Sequence, residues 1–276
     1  MAFCVVIAIC SAVSDSQKEK EKKTKNKAIA DEVRRTFEVQ KRTEQLREER
    51  LQAQHREGAE EFRQELEKIP VVEISVADSA QDLTNCADFP SDSLTTLKPR
   101  NGVRKSLYTD FTVIDVETTG LSEYDDIIEI SAIKYKNLTP VSAFTSLIKP
   151  PGTIPAKITA LTHIDDDMVA NAPSINQIMP AFIAYIGDDN ILAHNISFDL
   201  KFLYRAGFDC FTVKRRYYDT LQIARAKLTK EDVENHKLET LCNHYKIYRN
   251  DAHRSLSDCF ATAKIYEKLL YEYDFK

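Results

Sequence analysis

Apolar residues change their spacing near residue 108, and that change divides the chain. Downstream, Phe111–Val116 is a short run with β-branched residues on both faces, which predicts a buried strand. Residues 127–135 and 141–148 repeat the pattern as two more strands, with Lys136-Asn137-Leu138-Thr139-Pro140 read as the turn between them. Pro150-Pro151-Gly152 closes this three-strand meander. Helical spacing follows over 155–161, 165–169 and 174–186, then a short strand at 191–193 and a helix over 198–206 that stops at Gly207. Further helices are expected over 219–228 and 237–245, and a long terminal one over 255–273. Strands first, then strands alternating with helices, predict an α/β domain with a mixed sheet.

Upstream the pattern is different. From Lys18 to about Lys68 the chain is dense in charge, with one glycine (Gly58) and no proline before Pro70. Acid-to-base pairs recur at four-residue spacing (Glu19–Lys23, Glu21–Lys25, Asp31–Arg35, Glu38–Arg42), each supporting a solvent-exposed helix by a few tenths of a kcal/mol. Apolar residues are sparse, and no heptad is sustained through the middle. A long polar helix is therefore expected over 18–69, which leaves both self-association as a coiled coil and a solvated spacer open. Residues 70–107 mix Ser, Thr, Asp, Asn and Pro and read as a linker, with a strand-like piece at 71–76. Residues 1–17 carry an apolar run from Ala2 to Val13, shorter than the roughly 20 residues a helix needs to span a bilayer. The first charge is Asp15, so the basic flank of a signal peptide is lacking. No stable membrane insertion is expected, and a weak tether stays open. The remaining part, 108–276, is the folded domain.

Composition adjusts this picture in two ways. The chain has 276 residues, 43% of them hydrophobic, enough for one domain with a sizeable core plus extra material. Its net charge of −5 comes from 108–276, with 19 basic against 24 acidic residues, while 1–107 balances at 19 each. An acidic domain is an unusual partner for nucleic acid, whose binding rests on neutralising phosphates. Cations held by its carboxylates would reverse the local sign. Six cysteines lie far apart without a CxxC pair, so neither a zinc site nor a disulfide framework is expected, and reduced thiols suit a cytoplasmic protein.

The candidate chemistry lies in three ordered clusters: Asp115-Val116-Glu117-Thr118-Thr119-Gly120-Leu121, His194-Asn195-Ile196-Ser197-Phe198-Asp199 and His253-Arg254-Ser255-Leu256-Ser257-Asp258. On a strand, Asp115 and Glu117 project from one face, and two adjacent carboxylates repel unless a cation compensates them. A strand end reaching solvent would look the same. Asp199 in a first helical turn is also favoured by the helix dipole. Ser255 with Asp258 fits a capping box, which leaves His253 in the loop before the helix. Together, four carboxylates suit oxygen-preferring divalent cations, and a pair of such ions suits phosphodiester hydrolysis.

These three segments resemble the exonuclease motifs of the DEDDh 3′→5′ exonucleases, the group containing the epsilon proofreading subunit of bacterial DNA polymerase III. Residues 158–162, 219–225 and 237–241 resemble connecting segments of that family. The resemblance covers 108–276 and nothing upstream. It implies a ribonuclease-H-like mixed sheet flanked by helices, with Asp115, Glu117, Asp199 and Asp258 holding two Mg²⁺ (or Mn²⁺) ions and Asp115 bridging them. It implies His253 as general base, a role that suits an imidazole. Thr118, Thr119, Gly120 and Leu121 would hold the terminal nucleotide, with His194, Asn195 and Phe198 near the same pocket. The implied activity is 3′→5′ removal of nucleoside monophosphates from single-stranded DNA ends, in replication proofreading or repair and with a DNA polymerase as candidate partner. RNA trimming of the oligoribonuclease or ribonuclease T kind is the nearest alternative, although Thr118 stands where oligoribonucleases tend to carry methionine. An inactive nucleic-acid-binding or scaffold module is the alternative of another class.

Overall fold

The structure is a computed structural model that describes residues 2–72, 74, 89–90, 94, 96–97, 106–122, 124–249 and 251–273. Helix α1 (Ala2–Glu67) opens the chain as one uninterrupted element. It ends where Pro70 approaches, since proline cannot supply the N–H that a continuing helix needs. The chain divides into two units, residues 1–56 and 57–276.

In the first unit the described side chains from Arg34 to Arg56 are exposed, including Phe37, Leu46 and Leu51. The apolar run at 2–13 lies on α1, and its side chains fall outside the described residues. Among the described residues no helix is long and apolar enough to cross a membrane.

The second unit is built on a six-stranded mixed sheet. Its strands are β1 (Thr96–Leu97), β2 (Phe111–Thr118), β3 (Ile127–Lys136), β4 (Thr139–Leu147), β5 (Ile191–Ala193) and β6 (Tyr217–Asp219). Their spatial order is β1-β6-β5-β2-β3-β4, with β1, β6, β5 and β2 parallel and the β2–β3 and β3–β4 pairs antiparallel. The helices are α2 (Ser106–Thr109), α3 (Ala156–Thr162), α4 (Asp166–Val169), α5 (Ile175–Ile186), α6 (Ile196–Arg205), α7 (Thr220–Lys227), α8 (Leu238–Tyr245) and α9 (Ser255–Tyr273).

Central β2 is buried on both faces, as its lack of polar alternation requires. Phe111 and Val113 join a core with Phe260, Ile265, Tyr266 and Leu269 of α9. Ile114 and Val116 join a second core with Phe182 of α5 and Leu200 and Leu203 of α6. Asp115 and Glu117 alternate with Val116 and so share Val113's face, the one that α9 covers.

Two local expectations are corrected. The 136–140 turn shrinks to Asn137 and Leu138, both left-handed (φ 50° and 61°), the conformation of a two-residue hairpin turn matched to strand twist. Thr139 and Pro140 pair with Lys136 and Tyr135 instead; Pro140 is tolerated because β4 is the last named strand on its side of the sheet. Residues 70–72 and 96–97, expected as linker, are tied to the two sheet margins. Ala143 N–H donates to Pro70 O (2.7 Å) and Val72 N–H to Ala143 O (2.8 Å), while Thr96 and Leu97 pair with Tyr217 and Tyr218. A margin of unpaired N–H and C=O groups recruits such extended pieces. Of the strand-like piece at 71–76, Val71 makes a bridge to Ala143, and Glu73, Ser75 and Val76 lie outside the described residues.

The folded unit also begins earlier than the spacing at residue 108 predicts. Ala59, Phe62, Leu66 and Ile69 recur at helical intervals; Phe62, Leu66 and Ile69 belong to the α9-side core. Phe62 meets Phe260 edge to face at 4.9 Å, and Glu65 pairs with Lys264 at 2.7 Å. Gly58 lies under the Tyr248 ring, where an added Cβ would come within 2.0 Å of a ring carbon.

Gly58→Ala is therefore expected to destabilise the domain by about 1–3 kcal/mol through overpacking, reversing the gain of about 1 kcal/mol usual for this change in a helix. A chain beginning at Glu57 should unfold at the wild-type temperature, and one beginning at Arg104 lower, because it lacks Phe62 and Ile69. The chain contains no tryptophan, so thermal unfolding followed by near-ultraviolet circular dichroism of its tyrosines is the measurement.

Candidate active site

Parallel pairing of β2 with β5 aligns Thr112 with Ile191 and Val113 with Leu192. The carboxyl end of β2, with Asp115 and Glu117, therefore lies beside the turn leaving β5. Asn195 makes that turn in a left-handed conformation (φ 65°) and starts α6, which places Asp199 in the first helical turn. The Val116 N–H donates to Asp199 Oδ1 (3.2 Å), joining the second cluster to the first.

The third cluster arrives with α9. Glu117, His253 and Asp258 offer ligand atoms that all lie within 4.8 Å of one another. The capping-box expectation for Ser255 is overturned. Ser255 is already the first residue of α9, its hydroxyl meets Ser131 Oγ at 2.7 Å, and its N–H donates to Glu129 Oε2 at 2.7 Å. A residue of β3 thus satisfies the helix end that the helix's own side chain was expected to satisfy.

Glu129 is the positioning group that motif spacing missed. It is buried, lies opposite Glu117 across the β2–β3 ladder, and accepts from Arg254 Nε (3.0 Å) and Nη2 (2.6 Å). Arg254 is the residue after His253, so this pair fixes the loop that carries the histidine; His253 itself is left-handed (φ 61°). The available signal was a glutamate inside the apolar run 127–135, since a buried acid implies a buried partner. Arg249 was also missed. Its guanidinium donates to Asp258 Oδ1, and both side chains are almost wholly buried.

Burial raises the pKa of all four carboxyls, and at Asp115 and Glu117 the neighbouring carboxylates add to it. Burial holds Asp115 well above its ordinary range, and the nearby Asp199, Asp258 and Glu117 add to the shift. Burial, then Asp258, Glu129 and Asp199, push Glu117 up to about 8. Burial raises Asp199 well above its usual range against the hydrogen bond from Val116, and raises Asp258 against the opposing pull of Arg249. This set contains only oxygen donors with excess negative charge, and it fits hard divalent cations such as Mg²⁺ or Mn²⁺.

The remaining predicted residues divide by exposure. Thr118 Oγ1 donates to Gly120 O (2.6 Å), and Thr119 Oγ1 accepts from the Asp126 N–H (2.9 Å), so both hydroxyls shape the 119–126 loop from within. Gly120 admits the Asp125 carboxylate, which an added Cβ would meet at 2.4 Å. Leu121 is 81% exposed, available to a ligand. Lys201 Nζ donates to Leu121 O (3.2 Å) and lies over the Phe202 ring (4.8 Å), while Phe198 is half-buried against Phe202. His194 Nδ1 meets Thr220 Oγ1 at 2.8 Å, and burial holds its imidazole down at about 4. Asn195 is exposed, with its N–H donated to Asp219 Oδ1 (2.9 Å).

Carboxyls kept protonated by the fold stabilise it fully below the ordinary carboxylate range, and that contribution is lost as pH rises toward about 8. In chelator, the melting temperature is expected to fall over that interval. Asp115→Asn should raise it and flatten the decline, as melting curves across pH would record.

The sequence matches the family described as Exonuclease (RNase_T) over residues 112–266. Similar curated proteins include the PolC-type DNA polymerase III of Caldanaerobacter subterraneus subsp. tengcongensis, 39% identical over 60% of this chain and 12% of that protein. The PolC-type DNA polymerase III of Oceanobacillus iheyensis is 40% identical over 62% of this chain and 12% of its own length. The match thus spans about one-eighth of these relatives. Among solved structures, E. coli exonuclease I in complex with a dT13 oligonucleotide aligns with a TM-score of 0.51 at 18% identity, over 60% of this chain and 43% of that one. Exonuclease I from Methylocaldum szegediense aligns with a TM-score of 0.51 at 21% identity, over 61% and 41%. The likeness to these two is one of fold, the ribonuclease-H-like sheet flanked by helices. The family match covers more than half of the chain and contains Asp115, Glu117, Asp199, His253 and Asp258, so the chain belongs to the exonuclease family.

Proposed function

We propose that this protein hydrolyses single-stranded DNA from its 3′ end, releasing nucleoside monophosphates, and that Asp115, Glu117, Asp199 and Asp258 hold two divalent cations for that reaction. The observation that carries the proposal is the convergence of four mutually repelling carboxylates with His253 at the carboxyl end of β2. The choice of DNA rests on relatives that bear the name of a DNA polymerase. A polymerase as partner, with proofreading as the task, and a cytoplasmic location are part of the same proposal, supported by the polymerase name of those relatives.

Bound divalent cations supply the positive charge that acidifies the attacking water and offsets charge on the departing 3′ oxygen. The chain's own residues do the rest. His253 accepts the water's proton at a ring nitrogen, held in reach by the Arg254–Glu129 pair. Leu121, exposed on a loop whose carbonyls accept from Lys201 and Arg205, packs against the terminal base, with Phe198 on the same side. Asn195 and His194 support the turn rather than take part in proton transfer, His194 being neutral and bonded to Thr220.

Asp115→Ala is expected to abolish nucleotide release while the fold survives, and more than a tenth of wild-type turnover would count against a shared ligand. His253→Ala should keep divalent-cation and DNA binding but lose about 10²–10⁴ in turnover. Both are read by stepwise shortening of 5′-labelled oligonucleotides, with a matched RNA strand to test the sugar preference. Faster digestion of the RNA would reassign the substrate.

A further inference from the structure

Among the described residues, one cation lies where the proposed reaction needs a divalent ion. The Arg249 guanidinium donates to Oδ1 of Asp258, and their side chains are 6% and 8% exposed. Asp258 is also one of three residues whose ligand atoms cluster within 4.8 Å. A guanidinium stays charged at every working pH and offers donors in a planar fork, so it is a durable counter-ion for a carboxylate. At Oδ1 it takes up part of the carboxylate's acceptor capacity, and its charge repels a divalent ion approaching the same buried group.

We propose that Arg249 is an intramolecular competitor of the divalent cation at Asp258: it neutralises that carboxylate while the centre is empty and leaves it when the ion binds. The inference rests on the proposed role of Asp258 as a ligand. The arginine is carried on the segment between α8 and α9. The preceding Tyr248 ring lies against Gly58 near the end of α1, so the contact is held from outside the motif as well. Two arrangements of one buried carboxylate follow, one with Arg249 and one with the ion. Apparent affinity is scaled down by the fraction of molecules free to adopt the second. With the competent form at about one part in ten, the loss is about tenfold.

The test uses the full chain and MnCl₂ alone, with free Mn²⁺ counted by electron paramagnetic resonance. Arg249→Met keeps length and apolar stem and removes the charge. It is expected to lower the melting temperature in chelator, because Asp258 loses its partner, and to bind Mn²⁺ at about tenfold lower half-saturation. Unchanged or weaker binding would overturn the proposal. Should the variant fail to fold, the wild type still decides. Phenylglyoxal labelling of Arg249, read by peptide mass spectrometry, should rise on adding Mn²⁺, and labelling indifferent to Mn²⁺ overturns the competition. If wild type and Asp258→Ala are alike in binding no Mn²⁺, the metal centre fails and the inference with it. If wild type binds, Asp258→Ala does not, and Arg249→Met matches wild type, only the competition is wrong.

Discussion

The constraint on which this structure depends is the crowding of carboxylates at the carboxyl end of β2. Asp115, Glu117, Asp199 and Asp258 face one another where burial already disfavours charge, with Glu129 alongside. A cluster of this kind opposes its own ionisation, and the surrounding fold is arranged to tolerate it. Two arginines answer it differently. Arg254 satisfies Glu129 through two donors and fixes the entry of α9. Arg249 lies directly on Asp258, a member of the cluster itself.

That arrangement explains why α9 begins as it does. A helix start leaves N–H groups without partners, and here the Ser255 N–H finds its acceptor on a strand distant in sequence. The same Glu129 that completes the helix end also holds the arginine next to His253. Packing, capping and the placing of the proposed base are therefore one network, anchored in the half of the sheet that contains β3.

The loop proposed to face the substrate is held by another set of charges. Lys201 and Arg205 of α6 donate to the carbonyls of Leu121 and Asp125, and both cations lie over the Phe202 ring. Loop 119–126 is thus bound to the helix that carries Asp199. An exposed leucine can present its apolar surface reproducibly only when its backbone is held in this way. The end of α1 supplies Phe62, and the turn after it Ile69, to the core that α9 covers, so among the described side chains the charged helix turns an apolar face to the domain only near its end.

Much of this was legible in the chain. The order of strands and helices followed from hydrophobic spacing, because burial on both faces of β2 and β3 leaves runs of apolar residues that no solvent-facing strand would carry. The bounds of α9 were readable because its apolar spacing is sustained to residue 273. Three clusters sharing one chemistry named the candidate site before any distance was known. Short and non-local features were not legible. β6 is a three-residue strand whose identity comes from its neighbours β1 and β5, and Thr96–Leu97 is a strand because β6 lies beside it. The helix end at 57–69 looked like the rest of a charged helix, since Ala59, Phe62, Leu66 and Ile69 gain meaning from the α9 surface they cover. Glu129 with Arg254, and Arg249 with Asp258, are pairs of which motif spacing holds one member at most. The chain alone determined which elements form and which chemistry they carry, because spacing and residue type are local. The tertiary structure decided which charges meet, because a carboxylate's partner is set by burial and distance between segments that sequence separates.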